Sequence, residues 1–366
     1  MKKFLAILMA ICMLTVFVAA CGGDSDDGPS GGGSIKADVF WYTFADTYLT
    51  SVRNAMIAEF DGVSNIDVTM HDCQEDQSRQ TEMVRTALTQ GTDLLIVNIV
   101  TTGSEEAAMN IVNMAKEENV PIIFFNREVS DDVINSYDKA AFVGTDADEA
   151  GVMQGEAIAN FLKQGDNLSK FDLNGDGTIS YVMLRGEHGN AEAFGRTFYS
   201  VSTANEILGG TILVPSAANE TSTQYDDDGI SNFFLYANWS AANAADLMRT
   251  AMTANPLGDG SIELVIANND DAALGAIEAM NEVGWNTGSG DFIPVFGVDA
   301  TDVAQTAIKD GKMTATILQD AVGMAKTIVA LSKNIAAGSD LMANTGSYNI
   351  DAGVAKIRVP YAIFTG

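Results

Sequence analysis

Short apolar runs alternate with longer amphipathic stretches from Ile35 almost to the end of the chain, and few folds accept that rhythm. "ADVFWYT" reads as a strand, and "YLTSVRNAMIAEFDG" as a helix with apolar residues at helical spacing. "NIDVTMHD", "TDLLIVNIV" and "PIIFFN" are further strands, separated by the helical "DQSRQTEMVRTALTQG" and "SEEAAMNIVNMAKEENV". After "KAAFVGTD" the alternation restarts with the helix "ADEAGVMQGEAIANFLKQ" and continues through the strands "ISYVMLRGE", "TILVPSA", "IELVIANND", "IPVFGVD" and "TATILQD". Such alternation predicts parallel sheets with right-handed crossovers and helices on both faces. Two series without a sequence repeat predict an α/β fold of two doubly wound parallel-sheet lobes facing each other. In such sheets ligands bind beyond the carboxyl ends of the strands. Asp46, Asn126, Asn269, Asp299 and Gln319 are polar residues at strand ends in both halves, so they are candidates to line a cleft.

The 366 residues, 47% hydrophobic and 19% charged, suffice for a large core and two domains. A net charge of −29 argues against nucleic acid and anionic lipid as partners, because both would be repelled. Residues 1–20 stand apart: "MKK" is a basic start, "FLAILMAICMLTVFV" an apolar stretch too short for a confident membrane span, and "VAAC" a cleavage site before Cys21. The tract "CGGDSDDGPSGGGS" cannot bury apolar surface, and residues 21–35 read as a flexible tether. "VAAC" resembles the lipobox of bacterial lipoproteins, with Val18 where leucine is more usual. That resemblance implies a lipid on Cys21 and membrane contact only through this anchor; the alternative is a plain signal peptide with a chance cysteine. Cys12 leaves with the signal, so Cys73 remains alone and reads as inert packing after a strand.

A second motif is "DLNGDGTIS", Asp172 to Ser180. Oxygen-bearing side chains at alternate positions and a glycine at position six match the first nine residues of an EF-hand calcium loop. Position twelve should be a bidentate glutamate and is Met183. Either the loop binds nothing, or its last ligand comes from elsewhere in the chain.

"YDKAAFVGTDADEAG", "IPVFGVDA", "ELVIANND" and "VPIIFFNRE" closely resemble the galactose/glucose-binding branch of the type I periplasmic binding proteins of bacterial sugar transporters. The resemblance runs from about Ala37 to Tyr361. It implies an N-terminal lobe of residues 36–144 plus 321–357 and a C-terminal lobe of residues 146–319 plus 359–366. A three-crossing hinge would join them near Gly144–Asp146, Gln319–Ala321 and Arg358–Pro360. It also implies a sugar site. Asp46 would accept hydrogen bonds from hydroxyls, Tyr48 would stack on one ring face where the family has phenylalanine, and Asn126 follows "FF". Trp239 would stack on the opposite face, with Arg196, Asn269 and Asp299 as in the family. Asn190 replaces a histidine, Glu192 an aspartate and Gln319 an asparagine, so the rim is retuned. Residues 216–238 contain extra sequence beside the cleft or on a docking surface. The family's calcium loop takes its glutamate from a distant strand, which here implies Ca²⁺ held by Asp172, Asn174, Asp176, the Thr178 carbonyl, Ser180 and Glu263. Ser180 stands where the family has glutamine.

Two aromatic plates with planar Asp, Asn and Arg groups suit a pyranose, whose faces are C–H and whose rim is hydroxyl. The expected function is capture of a monosaccharide, a galactose- or glucose-like hexose, by a monomeric lipid-anchored exported protein that delivers it to an ABC permease. Alternatives are a sensory input to a chemoreceptor or sensor kinase, or a different pentose or hexose. An enzyme is not expected. Abundant Asp and Glu carry no positional information, and glycoside chemistry needs a carboxyl pair at defined separation. The sequence holds neither a "GxSxG" elbow nor an "HExxH", and His71 and His188 are far apart; His188, in "GEHGN", falls near the expected cleft.

Overall fold

The computed structural model of the protein describes residues 34–219 and 234–366. The chain first forms β1 (Ile35–Trp41), α1 (Thr47–Asp61), β2 (Ile66–Asp72), α2 (Gln77–Thr89), β3 (Leu94–Val97), α3 (Glu105–Glu117), β4 (Ile122–Phe125), the short α4 (Asp131–Asn135) and β5 (Ala140–Gly144). A second run brings α5 (Ala147–Lys163), the short α6 (Asn167–Phe171), β6 (Ile179–Arg185), α7 (Ala191–Leu208), β7 (Leu213–Pro215) and β8 (Leu235–Tyr236). It continues with α8 (Ala241–Ala254), β9 (Leu264–Ala267), α9 (Asp270–Glu282), β10 (Val295–Asp299), α10 (Asp302–Lys309) and β11 (Ala315–Gln319). The tail adds α11 (Ala321–Ala336), β12 (Asn349–Ile350), β13 (Lys356–Arg358) and β14 (Tyr361–Phe364).

Among the described residues these strands make two sheets of seven. The first runs β12-β13-β5-β4-β3-β1-β2; the second runs β14-β11-β10-β9-β6-β7, with β8 also on β6. Alternate side chains of each strand serve opposite faces, as a period of two requires. In the first sheet Val39, Ile96, Ile123 and Val143 meet α1 and α11, whereas Phe40, Leu95, Phe124 and Phe142 meet α2, α3 and α4. In the second, Leu184, Val265 and Val295 face α8, α9 and α10, whereas Met183, Ile266 and Val298 face α5. Both faces of each central strand are therefore apolar, and strands such as "LLIV" and "IIFF" are wholly buried. Gly151 of α5 and Gly195 of α7 let those helices touch backbone to backbone: a Cβ on Gly151 would lie 2.1 Å from the Gly195 carbonyl oxygen.

The expected two doubly wound lobes are present, with four local differences. Ile35 belongs to β1 rather than to the tether, because it pairs with Ile66. β1 ends at Trp41, so Tyr42 and Thr43 are already loop. β12 and β14 are antiparallel edge strands, added where the tail turns back instead of crossing over. Part of the 216–238 segment joins the second sheet, since β8 pairs with β6 and the buried Asn219 accepts from the Met183 backbone N–H at 3.0 Å; residues 220–233 lie outside the described residues.

The chain passes between the sheets after β5, after β11 and after β13. Residues at the three passages bond to one another. Thr145 Oγ1 lies 2.8 Å from the Tyr361 hydroxyl and accepts from Gln319 Nε2 at 3.3 Å. Arg358 Nη1 donates to the Thr145 carbonyl at 2.7 Å.

Candidate functional site

A cavity lies between the carboxyl ends of the two sheets. The first lobe lines it with Tyr42, Asp46, Tyr48, Leu49, Asn126 and Arg127, and the second with Asn190, Glu192, Arg196, Trp239, Asn269, Asp299 and Gln319. All ten residues expected around a sugar are thus brought to one cavity. Tyr42, Leu49 and Arg127 were not anticipated. Arg127 directly follows Asn126 inside "FFNRE", so the signal lay one residue away; Tyr42 and Leu49 carried none.

Helix starts explain much of the placement. Asp46, Asn190 and Asn269 are the N-caps of α1, α7 and α9. Asp46 Oδ1 accepts from the Leu49 N–H at 2.7 Å, Asn190 Oδ1 from Ala193 at 2.9 Å and Asn269 Oδ1 from Ala272 at 3.1 Å. An N-cap needs a short polar side chain just where strand turns into helix. The same residues therefore end up at the cavity wall, beside the positive ends of three helix dipoles. Their other atoms are partly engaged: Asp46 Oδ2 accepts from the Tyr42 hydroxyl at 2.8 Å, and Asn269 Nδ2 donates to the Trp239 carbonyl at 3.1 Å.

Arg196 organises the floor. Its Nη1 donates to the Asn268 carbonyl at 2.8 Å, and its Nη2 donates to the Tyr361 hydroxyl at 3.0 Å and Gln319 Oε1 at 3.3 Å. Burial alone would lower its pKa, but Tyr361, Asp299 and Glu192 hold the guanidinium charged and raise it. Asp299 Oδ1 lies 3.8 Å from Arg196, beyond hydrogen-bond reach, so burial dominates and pushes the Asp299 carboxyl well up. Tyr361 and Gln319 also belong to the hinge bonds described above. The cavity and the hinge are therefore one hydrogen-bonded network.

Four buried groups on the wall hold polar atoms without a protein partner: the Tyr48 hydroxyl, both oxygens of Glu192, and Nε of Arg127 and of Arg196. Burial raises the Glu192 carboxyl, with Arg196 and Arg127 pulling the other way. Tyr48 is likewise raised, by burial and by Asp299. Unpartnered buried polar atoms are costly, and a hydroxyl-rich ligand would satisfy them. Asn126, Trp239 and Asp299 have φ of 61°, 64° and 124°, conformations that non-glycine residues rarely adopt and that cluster at functional sites. Trp239 lies flush on Gly186, where an added Cβ would come within 2.3 Å of the indole.

The lobes also meet at the cavity edge. Thr47 Oγ1 donates to Asp271 Oδ2 at 2.8 Å and Arg127 Nη2 bonds Glu187 Oε2, while within the first lobe the Arg127 guanidinium sits 4.2 Å from the centre of the Tyr42 ring. This is a closed arrangement. His188 is not among the residues that line the cavity.

In the Asp172–Ser180 loop, Asp172 accepts from the Asp176 and Gly177 N–H groups at 3.0 and 2.9 Å, and Asp176 accepts from Thr178 N–H at 2.8 Å. The distant Glu263, wholly buried, spans both ends of the loop: Oε1 accepts from Leu173 N–H at 2.6 Å and Oε2 from Ser180 N–H at 2.7 Å. The strand register places it there, because the Glu263 N–H donates to the Ser180 carbonyl at 2.8 Å. The donor types suit a hard cation, and Glu263 stands against the loop. Among the described residues, however, no three His, Cys, Asp or Glu side chains converge on one point. Cys73 is buried, and burial pushes its thiol up to about 11. Cys21 lies outside the described residues, among which no helix is long and apolar enough to cross a membrane.

A two-lobed α/β protein with a polar and aromatic cavity at its hinge is built to enclose a small ligand. Comparison with known proteins gives that class its family: residues 37–340 match the periplasmic binding protein domain family, and the chain belongs to it. Membership makes it a ligand-binding protein, not an enzyme. It is 33% identical over 320 residues to the D-galactose/methyl-galactoside binding periplasmic protein MglB of Haemophilus influenzae, covering 87% of this chain and 86% of that one. It is 23% identical over 277 residues to the ribose import binding protein RbsB of Escherichia coli, covering 76% of each. Among solved structures, an ABC transporter solute binding protein from Bacillus halodurans with bound myo-inositol superposes with a TM-score of 0.67 at 26% identity. The match covers 92% of this chain and 96% of that one.

Proposed function

We propose that this chain is the extracytoplasmic substrate-binding component of an ABC importer, and that it captures a monosaccharide, a galactose- or glucose-like hexose, for a membrane permease. The observation that carries this reading is the cavity itself. Tyr48 from one lobe and Trp239 from the other supply aromatic faces, while Asp46, Glu192, Arg196, Asn269 and Asp299 supply charged or planar hydrogen-bonding groups. Capture would proceed by hinge closure, in which a ligand touching both lobes stabilises the closed form that a permease reads. The names of the relatives support a sugar, and the myo-inositol on the Bacillus protein widens the class to cyclic polyols.

The same reading includes a structural Ca²⁺ held by Asp172, Asn174, Asp176, the Thr178 carbonyl, Ser180 and Glu263, and a lipid on Cys21. The ion would brace β9, which leads into Asn269. Support for it is the donor set and the position of Glu263.

A thermal-shift screen tests both small ligands. Galactose, glucose, ribose, arabinose and myo-inositol are each added with calcium and with chelator. Specific binding raises the unfolding temperature by mass action. If no sugar or cyclitol moves it, the sugar reading fails; if chelator changes nothing, the calcium reading fails. A Cys21→Ser protein found still attached to membranes would overturn the lipid anchor.

A further inference from the structure

Beyond the wall formed by Tyr42, Arg127 and Trp239 lies a second chamber, which shares those three residues with the first cavity and adds Glu75, Thr101 and Tyr236 among others. We propose that this chamber receives a second, glycosidically linked ring, so that the protein accepts a disaccharide or larger glycoside whose terminal sugar fills the first cavity. The inference rests on the monosaccharide reading above.

The lining repeats the chemistry of the first cavity. Tyr42, Tyr236 and Trp239 present aromatic surface for C–H faces, and Glu75, Glu187 and Asn238 present oxygen acceptors for hydroxyls. A solvent channel needs neither. Backbone conformation points the same way: Glu75 on the first lobe and Asn238 and Trp239 on the second have φ of 60°, 50° and 64°. Three non-glycine residues are held in the left-handed region around one chamber, as at sites where geometry is imposed for function.

Arg127 stands at the junction. Its side chain is buried and lines both chambers, one Nη is bonded to Glu187 of the opposite lobe, and its Nε has no protein partner. That N–H can donate to a glycosidic oxygen or to a hydroxyl beside it. Glu187 also accepts from Thr102 Oγ1 at 3.4 Å, so closure that traps a sugar in the first cavity also forms the second chamber.

Isothermal titration with glucose, galactose, maltose, cellobiose, lactose and melibiose tests the proposal, using the parent protein and the variants Tyr236→Ala and Thr101→Trp. Neither residue lines the first cavity. At least one disaccharide is expected to bind no more weakly than its terminal monosaccharide. Both variants are expected to weaken that disaccharide by about tenfold or more, the scale of an aromatic contact with its hydrogen bonds, and to leave the monosaccharide within about twofold. Unfolding curves verify that each variant is folded; should Tyr236→Ala not fold, Thr101→Trp, which fills the chamber, decides alone. A monosaccharide that binds while every disaccharide fails, or variants that bind disaccharide like the parent, would overturn the second chamber. If no sugar binds at all, the monosaccharide reading falls and takes this one with it.

Discussion

Both carboxylate oxygens of Glu192 are buried without a protein partner, and burial outweighs two nearby arginines in raising its pKa. The free protein therefore leaves a buried carboxyl group without a partner, while a ligand with two hydroxyls in reach would satisfy it. Glu192→Gln is expected to raise the unfolding temperature of the ligand-free protein at neutral pH and to weaken ligand binding by about tenfold or more. Calorimetry and titration read the two effects separately, and a variant that binds like the parent removes Glu192 from the site. Gly186→Ala is a second test. Its Cβ would meet the Trp239 indole at 2.3 Å, so the plate must move, at about 1–3 kcal/mol in stability with loss of affinity. Legibility at this scale followed local chemistry. Asp46 and Asn269 could be located from sequence because they are polar residues at strand ends, and Asn190 only through the family resemblance; that all three are N-caps was seen only in the structure. Tyr42 and Arg127 could not be located, because what brings them to the cavity is their contact across space.

Strands and helices were largely legible, since buried strands and amphipathic helices carry their own periodicity. Short elements without an apolar run were not: α4, α6, β8, β12 and β13 span five residues or fewer and lack the continuous apolar stretch that marks β3, β4 and β9. The "DLNGDGTIS" loop lies between these cases, recognisable as a loop but completed only by register. Pairing of β6 with β9 brings Glu263 to Leu173 and Ser180, 90 and 83 residues away in sequence. Glu263→Ala is expected to cost about 1–3 kcal/mol, because two part-buried backbone N–H groups lose their acceptor. If the ion binds, the variant's unfolding temperature should also stop responding to chelator. A variant as stable as the parent would mean the loop is held by other bonds.

Over the whole molecule, closure and pH response depend on buried acids and on contacts between lobes. Burial pushes Asp270 up to about 7, although it accepts from the Thr301 N–H at 2.7 Å and the Thr316 hydroxyl at 2.6 Å. An acid with a raised folded pKa binds protons more tightly when folded. Its contribution is therefore complete below about pH 4, is lost as pH rises to about 7, and is flat beyond. The difference in unfolding temperature between Asp270→Asn and the parent should move in the variant's favour across that window; a constant difference would show that Asp270 does not titrate there. Closure has its own test in Glu187, which bonds Arg127 across the cleft. Glu187→Ala is expected to enlarge the ligand-free protein in solution X-ray scattering and to weaken apparent affinity by about threefold to tenfold, in proportion to the lost closed population. Unchanged scattering would place the restraint elsewhere, with Thr47–Asp271 the next contact to remove.

By itself the sequence determined the two α/β sheets, the family, and which residue types stand at the strand ends, because hydrophobic period and motif spacing are short-range properties. Tertiary structure alone decided how those residues are used. It ties Arg196 to the hinge through Tyr361 and Gln319, leaves Glu192 and the Tyr48 hydroxyl without protein partners, and sets Arg127 between two chambers. Partnership of this kind depends on groups tens or hundreds of residues apart meeting within a hydrogen-bond length, and no local pattern encodes that distance.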